Sequence, residues 1–215
     1  MTQPCPLCGA EDPEPFFEDQ LRPYLRCDAC DLVFVPRSHH LSPAAEKAQY
    51  DLHCNSPDDP GYRRFLSRLA DPLIPLLPPG SDVLDFGSGP GPTLSVMLEE
   101  AGFRSAIYDP FYAPDARVLD ASYAAVTATE VIEHLSRPGE TLERLWARVE
   151  PGGVLGIMTR FRPSKDRFAG WHYRRDPTHV AFFSPRCLEG IATRLGASLT
   201  LKGPDVALFQ KPSVR

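Results

Sequence analysis

The stretch "SDVLDFGSGPGPTLSVMLEEAG", residues 81–102, constrains the fold more strongly than any other part of the chain. Its apolar run at residues 83–86 predicts a buried strand, and the glycines that follow predict a tight turn into a helix over residues 92–101. A glycine turn at a helix N-terminus brings backbone N–H groups close to a ligand. The next predicted strand, "RSAIYDP", ends in Asp109, where a carboxylate can hold the hydroxyls of a ribose.

Strand and helix patterns alternate along the rest of the chain after residue 60. Helical spacing of apolar residues runs over residues 61–77 and is stopped by "PPG". The segments "YAAVTAT" and "GGVLGIMT" predict strands, and "VIEHLSRPGETLERLWARV" and "SPRCLEGIATRLG" predict helices. The last two segments, "SLTLKG" and "DVALFQK", predict a hairpin. A βαβ series of this kind indicates an α/β fold with a mostly parallel sheet.

Composition narrows the class of protein. A length of 215 residues fits one medium domain with a small appendage, and 42% hydrophobic with 24% charged residues is typical of a soluble globular protein. No apolar run approaches the roughly 18 residues of a membrane span, and no signal-peptide pattern is present, so we expect a cytoplasmic protein with no membrane partner. Residues 1–59 hold eleven acidic and four basic side chains. A phosphate backbone would bind poorly there, so nucleic acid is not an expected partner. The oligomeric state has no indication in the sequence.

Two CxxC pairs near the N-terminus predict a metal site. Each pair can form a knuckle that points two thiolates at one ion, and two knuckles complete a tetrahedron. We therefore expect a structural zinc ribbon over residues 1–37 and a connector over residues 38–60. Cys54 and Cys187 have no partner motif and are expected to be buried or incidental thiols. The predicted zinc ligands are Cys5, Cys8, Cys27 and Cys30.

The glycine turn resembles a known family. "VLDFGSGPG" matches the "D-x-G-x-G-x-G" of motif I in the class I S-adenosylmethionine-dependent methyltransferases, and "EVIEHL", "EPGGVLGIMT" and the terminal hairpin extend the resemblance over residues 60–215. The ribbon resembles one that precedes some bacterial members. The resemblance implies a methyltransferase domain at residues 61–215, a Rossmann-like sheet of seven strands and S-adenosylmethionine as cofactor. The cofactor-binding residues implied are Asp85, Gly87, Gly89, Gly91, Asp109 and Thr129.

One departure from the family pattern affects the adenine contacts. Only fifteen residues separate Asp109 from Ala125, too few for the usual helix and a full third strand. That segment often supplies the contacts to adenine, so these are not assigned. Asp120 is the candidate within it.

The stretch "ATEVIEHL" follows the fourth strand and carries three candidate ligands. Glu130, Glu133 and His134 stand at i, i+3 and i+4, so one helical face can hold all three at the carboxyl edge of the sheet. Together with a later histidine, His179 or else His172, they resemble the metal site of the small-RNA 3′-terminal 2′-O-methyltransferases and of the ubiquinone-pathway O-methyltransferases. The resemblance implies that Mg²⁺ or Mn²⁺ binds the acceptor oxygen and lowers its pKa.

Two other interpretations of this stretch stay open. "EH" after the fourth strand is common in methyltransferases that bind no metal, where it caps a helix and orders the cofactor pocket. Alternatively, His134 or His179 acts as a metal-free general base. The candidate catalytic residues are His134, His179 and Glu133.

A basic and aromatic loop completes the predicted site. Residues 160–175 hold six basic side chains and one acid between four aromatic rings, which suits an anionic, planar or sugar-bearing acceptor. Tyr50 and His53 in the connector could cover the ligand. We expect methyl transfer to a small-molecule or carrier-bound acceptor at oxygen, with carbon or nitrogen acceptors and an RNA methyltransferase as alternatives. The candidate acceptor-binding residues are Trp171, His172, Tyr173 and Arg174.

Overall fold

The structure is a computed structural model that describes residues 3–52 and 55–213. His53 and Cys54, for which the sequence suggested a ligand cover and an incidental thiol, lie outside the described residues. The strands are β1 (Glu14–Glu18), β2 (Pro23–Arg26), β3 (Val33–Phe34), β4 (Asp82–Phe86), β5 (Arg104–Tyr108), β6 (Tyr123–Thr129), β7 (Val149–Met158), β8 (Ala181–Phe182), β9 (Ser198–Lys202) and β10 (Val206–Gln210). The α-helices are α1 (Pro43–Tyr50), α2 (Pro60–Leu73), α3 (Thr93–Glu100), α4 (Pro138–Arg148), α5 (Lys165–Phe168) and α6 (Pro185–Leu195). Short 3₁₀ helices span Arg37–His39, Ile74–Leu76, Ala116–Asp120, Ile132–His134 and His172–Arg175.

The central sheet has the strand order β5-β4-β6-β7-β10-β9. Strands β5, β4, β6 and β7 are parallel, and β10 pairs antiparallel with both β7 and β9. The mostly parallel α/β sheet with a C-terminal hairpin is therefore confirmed. Six strands rather than seven form this sheet in the described part of the chain. The segment between β5 and β6 is too short for a helix and a strand, and it forms the 3₁₀ helix Ala116–Asp120 instead.

Helices cover both faces of the central sheet. On one face α2 and α3 pack the leucines Leu66, Leu69 and Leu98 against Val83 and Val154. The ridge of α2 comes close to the sheet because Gly156 on β7 has no side chain; a Cβ there would lie 3.2 Å from Leu69. On the other face α4, α6 and the N-terminal residues form a second core. This three-layer packing leaves the carboxyl ends of the parallel strands open for a ligand.

The N-terminal ribbon, residues 3–36, is a small sheet that docks on the second face. Strands β1, β2 and β3 are antiparallel, and β8 from the other end of the chain pairs with β3 as a fourth strand. The ribbon contacts the start of α4 so closely that a Cβ on Gly139 would lie 2.2 Å from the carbonyl oxygen of Leu7. Arg194 on α6 donates to the same oxygen at 2.6 Å. The ribbon therefore shares a sheet and a core with the rest of the chain.

The stretch after β6 is not helical as its spacing predicts. Glu130 has a left-handed φ of 53°, and only Ile132–His134 form a 3₁₀ turn before α4 begins at Pro138. The prediction that Glu130, Glu133 and His134 share one helical face is therefore wrong. Pro138 suits a first helical turn, so α4 begins there, after the three candidate residues.

No helix within residues 3–52 and 55–213 combines the length and the apolar character that crossing a bilayer requires.

Candidate active site

A cavity of about 580 Å³ opens at the carboxyl ends of β4, β5 and β6. Its floor is the glycine turn after β4, and one wall is the loop after β5 with Phe111 and Tyr112. The opposite wall comes from the loop after β6 and from His179, and α1 covers one side with Glu46 and Tyr50. The cavity thus lies where ligands bind in open α/β sheets.

Each of the three positions in the turn requires glycine for a different physical reason. Gly87 has a φ of 75°, and a Cβ on it would lie 2.4 Å from the Val131 side chain. Gly89 has a φ of 63°, and no atom within residues 3–52 and 55–213 lies within 4 Å of an added Cβ, so its open side faces the cavity. Gly91 does not line the cavity; a Cβ there would lie 2.2 Å from the carbonyl oxygen of Asn55. Gly89 is therefore the glycine that keeps the backbone open to a ligand.

Asp109 ties the glycine turn to the next loop. One carboxylate oxygen accepts the Gly89 N–H at 3.0 Å, and the other accepts the N–H groups of Phe111 and Tyr112 at 2.8 and 3.1 Å. Four of the other predicted cofactor residues also line the cavity: Asp85, Gly87, Gly89 and Thr129. Asp120, the candidate for adenine contacts, lies on a separate cavity of about 430 Å³.

Asp85 is a buried carboxyl below the glycine turn. Thr127 donates to it at 2.9 Å and Ser95 at 3.5 Å. Burial raises the pKa of Asp85 to about 6, although the two hydroxyl donors act in the opposite direction. The side chain holds β4, β6 and α3 together beneath the cavity.

Glu133, His134 and His179 converge at one wall of the cavity. Their ligand atoms all lie within 4.8 Å of one another. The imidazoles line the cavity, and Glu133 lies behind them, fully buried, with no hydrogen-bond partner for Oε2 among the described residues. Glu130, the fourth predicted ligand, is not part of this cluster. Three of the four residues predicted to hold a cation are thus brought together, although Glu133 and His134 lie in a 3₁₀ turn.

The two glutamates share one tyrosine donor. The Tyr173 hydroxyl contacts Oε1 of Glu133 and Oε2 of Glu130, the latter at 3.1 Å. Burial raises the pKa of Glu130 to about 7. Burial and the neighbouring Glu130 raise the pKa of Glu133 well above its usual range. Two carboxyl groups this close and this dry favour sharing a proton or binding a cation.

Both imidazoles are oriented through Nδ1. The Nδ1 atom of His134 lies 3.2 Å from the carbonyl oxygen of Thr178, and that of His179 lies 2.7 Å from the carbonyl oxygen of Tyr173. Because a carbonyl only accepts, each Nδ1 carries a proton. The other ring nitrogen of His179, Nε2, lies 3.9 Å from a carboxylate oxygen of Asp176. Tyr50 on α1 packs on His134 in a T-shaped arrangement with ring centroids 5.3 Å apart. Tyr50 therefore covers the site, as its place in the connector suggested.

The four cysteines of the ribbon also converge. Their sulfur atoms all lie within 4.8 Å of one another, as a single ion requires of its ligands. Cys187 is fully buried and contacts Cys30, and this contact is the main cause of the raised pKa of the Cys30 thiol. Burial raises the pKa of the Cys8 thiol to about 11. Four cysteine sulfur atoms packed this closely form the arrangement that a bound cation stabilises as thiolates.

The four predicted acceptor-binding residues do not line the cavity. Phe168, Tyr173 and Phe182 pack with Phe16 and Tyr24 of the ribbon in an aromatic cluster. Trp171 packs at its edge, His172 is exposed, and Arg174 pairs with Asp19 of the ribbon. The basic and aromatic loop is thus largely a contact with the ribbon.

Sequence reasoning missed the aromatic wall beside Asp109. Tyr108, Phe111 and Tyr112 line the cavity, and Phe86 stacks on Tyr108 with centroids 5.4 Å apart. The stretch "YDPFY" carried a signal for this wall. It lies at the carboxyl end of a predicted strand, and residues at that edge of the sheet lie beside the ligand. Glu46 and Asp176 carry no comparable signal in the sequence.

Comparison with solved structures supports the α/β fold described above. The chain resembles Streptomyces venezuelae DesVI, with a TM-score of 0.53, 17% identity, and 81% of this chain and 100% of that chain covered. An O-methyltransferase family protein from Burkholderia thailandensis matches with a TM-score of 0.50, 16% identity, and 78% and 63% of the two chains covered. The O-methyltransferase NcsB1 from neocarzinostatin biosynthesis, in complex with S-adenosyl-L-homocysteine and 1,4-dihydroxy-2-naphthoic acid, matches with a TM-score of 0.50, 18% identity, and 71% and 53% covered. The chain thus spans less than two thirds of the length of the last two.

Sequence comparison names the family. No curated protein matches the chain. The family model described as "methyltransferase domain" matches residues 59–201, which is more than half of the sequence. The matched residues include the glycine turn, Asp109 and the cluster of Glu133, His134 and His179. The chain therefore belongs to this methyltransferase domain family.

Proposed function

We propose that the enzyme methylates an oxygen of a small-molecule or carrier-bound acceptor with the help of a divalent cation, Mg²⁺ or Mn²⁺. The observation that carries the proposal is the convergence of Glu133, His134 and His179 at the cavity wall. A buried carboxyl oxygen without a hydrogen-bond partner among the described residues is costly, and a bound cation would relieve this cost as a proton does. Carboxylate and imidazole donors together suit these ions.

Each reactant group has residues that would hold it. S-adenosylmethionine supplies an electrophilic methyl group, and a bound divalent cation supplies a Lewis acid that lowers the pKa of an acceptor hydroxyl. Tyr173 holds Glu133 in place, and the carbonyl groups of Thr178 and Tyr173 fix the ring orientations of His134 and His179. These contacts position the donor atoms before any ligand binds.

The cofactor half of the cavity is formed by the turn at Gly87 and Gly89 and by the loop after β5. We assign the ribose to Asp109, whose carboxylate lines the cavity while holding the Gly89 amide. The stacked rings of Phe86 and Tyr108 and the side chains of Phe111 and Tyr112 give the planar base a wall. Asp85 and Thr129 complete the proposed floor.

The charges of the cavity favour a small acceptor over RNA. Five carboxyl side chains and two histidines line it, and no lysine or arginine does so among the described residues. A site for a phosphate backbone needs cationic partners. The NcsB1 structure contains a small dihydroxynaphthoic acid, in line with a small acceptor. A small neutral molecule with a hydroxyl group is therefore the acceptor class we favour.

A metal-free mechanism is the second candidate. In both imidazoles Nδ1 is engaged with a carbonyl group, so Nε2 would be the nitrogen that acts as a general base. His134 or His179 would then take the proton from an oxygen, nitrogen or carbon acceptor. The two candidates differ in whether Glu133 is needed as a ligand.

Cation binding separates the two candidates. Titration of Mn²⁺ into protein saturated with S-adenosylhomocysteine, followed by calorimetry and electron paramagnetic resonance, is expected to show one site at the cluster. Glu133→Gln should weaken this binding at least tenfold. Glu140→Gln on α4 is the matched control, because the Glu140 side chain is 65% exposed and pairs with the exposed Arg137 at the surface. Wild-type protein that binds no Mn²⁺ would leave the histidine base as the mechanism.

We also propose that the four ribbon cysteines hold a structural zinc ion. Their convergence supports this role, and four thiolates leave no open coordination position for catalysis. The zinc would then stabilise the knuckles at both ends of the ribbon.

A further inference from the structure

The segment of residues 173–180 lies between the ribbon and the cluster of Glu133, His134 and His179. It contains His179 but little regular structure of its own, since the 3₁₀ helix ends at Arg175 and β8 begins at Ala181. Its conformation must therefore be fixed by contacts on its two sides.

On the cluster side the segment supplies backbone groups. The carbonyl groups of Tyr173 and Thr178 orient His179 and His134. The N–H of Val180 donates to the carbonyl oxygen of Glu133 at 2.7 Å. A displacement of this segment would therefore move all three members of the cluster.

On the ribbon side one guanidinium group holds three carbonyl groups of the segment. Arg22, only 7% exposed at the turn between β1 and β2, donates to Arg174 at 2.7 Å, Asp176 at 2.8 Å and Pro177 at 3.1 Å. Its Nε donates to the Tyr24 hydroxyl at 3.0 Å. Three charge-assisted hydrogen bonds from one rigid fork fix the path of the backbone on both sides of Asp176.

The ribbon sheet holds the far end of the segment. Val35 donates its N–H to the carbonyl oxygen of Val180 at 2.8 Å, and β3 pairs with β8 directly after it. Val180 thus hydrogen-bonds the ribbon through one backbone group and Glu133 through the other. The cysteine knuckle at Cys27 and Cys30 lies between β2 and β3, which joins the cysteine cluster to the same sheet.

We infer that the ribbon is a positioning element of the active site and that Arg22 is its principal positioning residue. Arg22 sets the backbone of residues 174–177, and through it the orientation of His179 and the contact of Val180 with Glu133. The inference rests on the proposed role of the cluster in the reaction. It assigns the ribbon a purpose within the enzyme rather than a separate binding function.

The test measures the position of the segment directly. Arg22→Met removes the donors and keeps an apolar stem of similar reach. In protein saturated with S-adenosylhomocysteine, amide hydrogen exchange at His179 and Val180 is expected to rise at least tenfold. The His179 ring N–H resonance, assigned by its loss in His179→Gln, is expected to shift or disappear. The affinity for S-adenosylhomocysteine should change less than twofold, because the glycine turn is not touched.

Arg26→Met is the matched control, since Arg26 lies on β2 and forms surface ion pairs with Glu14 and Asp28. It should leave exchange and the histidine resonance as in the wild type. If Arg22→Met does not fold, Arg22→Lys should show the same rise, because a compact ammonium group lacks the planar fork whose two terminal nitrogens span these three carbonyl groups. Unchanged amide exchange at Val180 in either variant would overturn the inference. A tenfold loss of affinity for S-adenosylhomocysteine would overturn it too, because the damage would then extend to the cofactor site. Cation binding enters none of these measurements, so a failure of the proposed metal mechanism stays separate.

Discussion

The backbone N–H of Gly89 donates to the Asp109 carboxylate at 3.0 Å and thereby joins the ends of β4 and β5 across the cavity floor. A second contact supports the same junction, because the N–H of Gly87 donates to the carbonyl oxygen of Tyr108 at 2.7 Å. The glycine turn is thus held open before the cofactor arrives. Such preorganisation lowers the conformational cost of binding.

Asp109→Ala should weaken S-adenosylmethionine binding at least tenfold. The change removes the acceptor of three backbone N–H groups as well as the proposed ribose contact, and a lost charge-assisted hydrogen bond costs about 1.5–3 kcal/mol. Calorimetric titration with S-adenosylhomocysteine measures the effect. Asp115→Ala, at an exposed cap of the next 3₁₀ helix, is the control. Unchanged affinity in Asp109→Ala would remove Asp109 from the cofactor site.

Gly89→Ala should reduce cofactor affinity with little effect on folding. A Cβ at this position meets no atom of the described residues within 4 Å and enters the cavity instead, so the fold loses only about 1–2 kcal/mol for the left-handed φ. Gly196→Ala is a close control, with a φ of 64° and equally open space at the end of α6, away from the cavity lining. Both variants should lose similar unfolding free energy, and only Gly89→Ala should lose affinity for S-adenosylhomocysteine. Equal affinities would show that Gly89 does not approach the cofactor.

Local sequence was enough to predict the position of the glycine turn. The order of strand, glycines and helix is decided by neighbours in the chain, so β4, α3 and Asp109 lie where their pattern predicts. The stretch from Glu130 to His134 shows the limit of such reasoning. Its spacing fits a helix, yet Pro138 starts the helix later, and the cluster forms only because His179 arrives from another part of the chain.

The basic and aromatic loop shows a different limit. Rings beside arginines in sequence suit a ligand as well as a protein contact, and the choice depends on what lies opposite them. In this protein the ribbon lies opposite them. Phe168 therefore packs on Phe16 and Tyr24, and Arg174 pairs with Asp19. No pattern within residues 160–175 could show that their partner lies more than a hundred residues earlier.

Cys27→Ser should release the proposed zinc ion and loosen the ribbon. Zinc content per chain, measured by mass spectrometry of the purified protein, should fall from about one to near zero. Cys187→Ala is the control, because Cys187 contacts Cys30 but lies outside the group of four sulfur atoms. It should keep its zinc. Full zinc content in Cys27→Ser would contradict a four-cysteine site.

Asp85→Asn should change the pH dependence of stability in a defined direction. Burial raises the pKa of Asp85 from 3.8 to about 6, so its contribution to stability is present below the unfolded value and is lost as the pH rises through the folded value. Asparagine does not titrate and has no such loss. The unfolding free energy of the variant should therefore improve relative to wild type by about 2 kcal/mol between about pH 4.5 and about pH 7.5. Asp82→Asn on the same strand is the control, because Arg104 lowers the pKa of that exposed carboxyl below 3.8, so its titration lies under this pH range and the variant should show no such change. Urea denaturation across this pH range measures both variants, and a pH-independent difference between Asp85→Asn and wild type would show that Asp85 is already ionised at low pH.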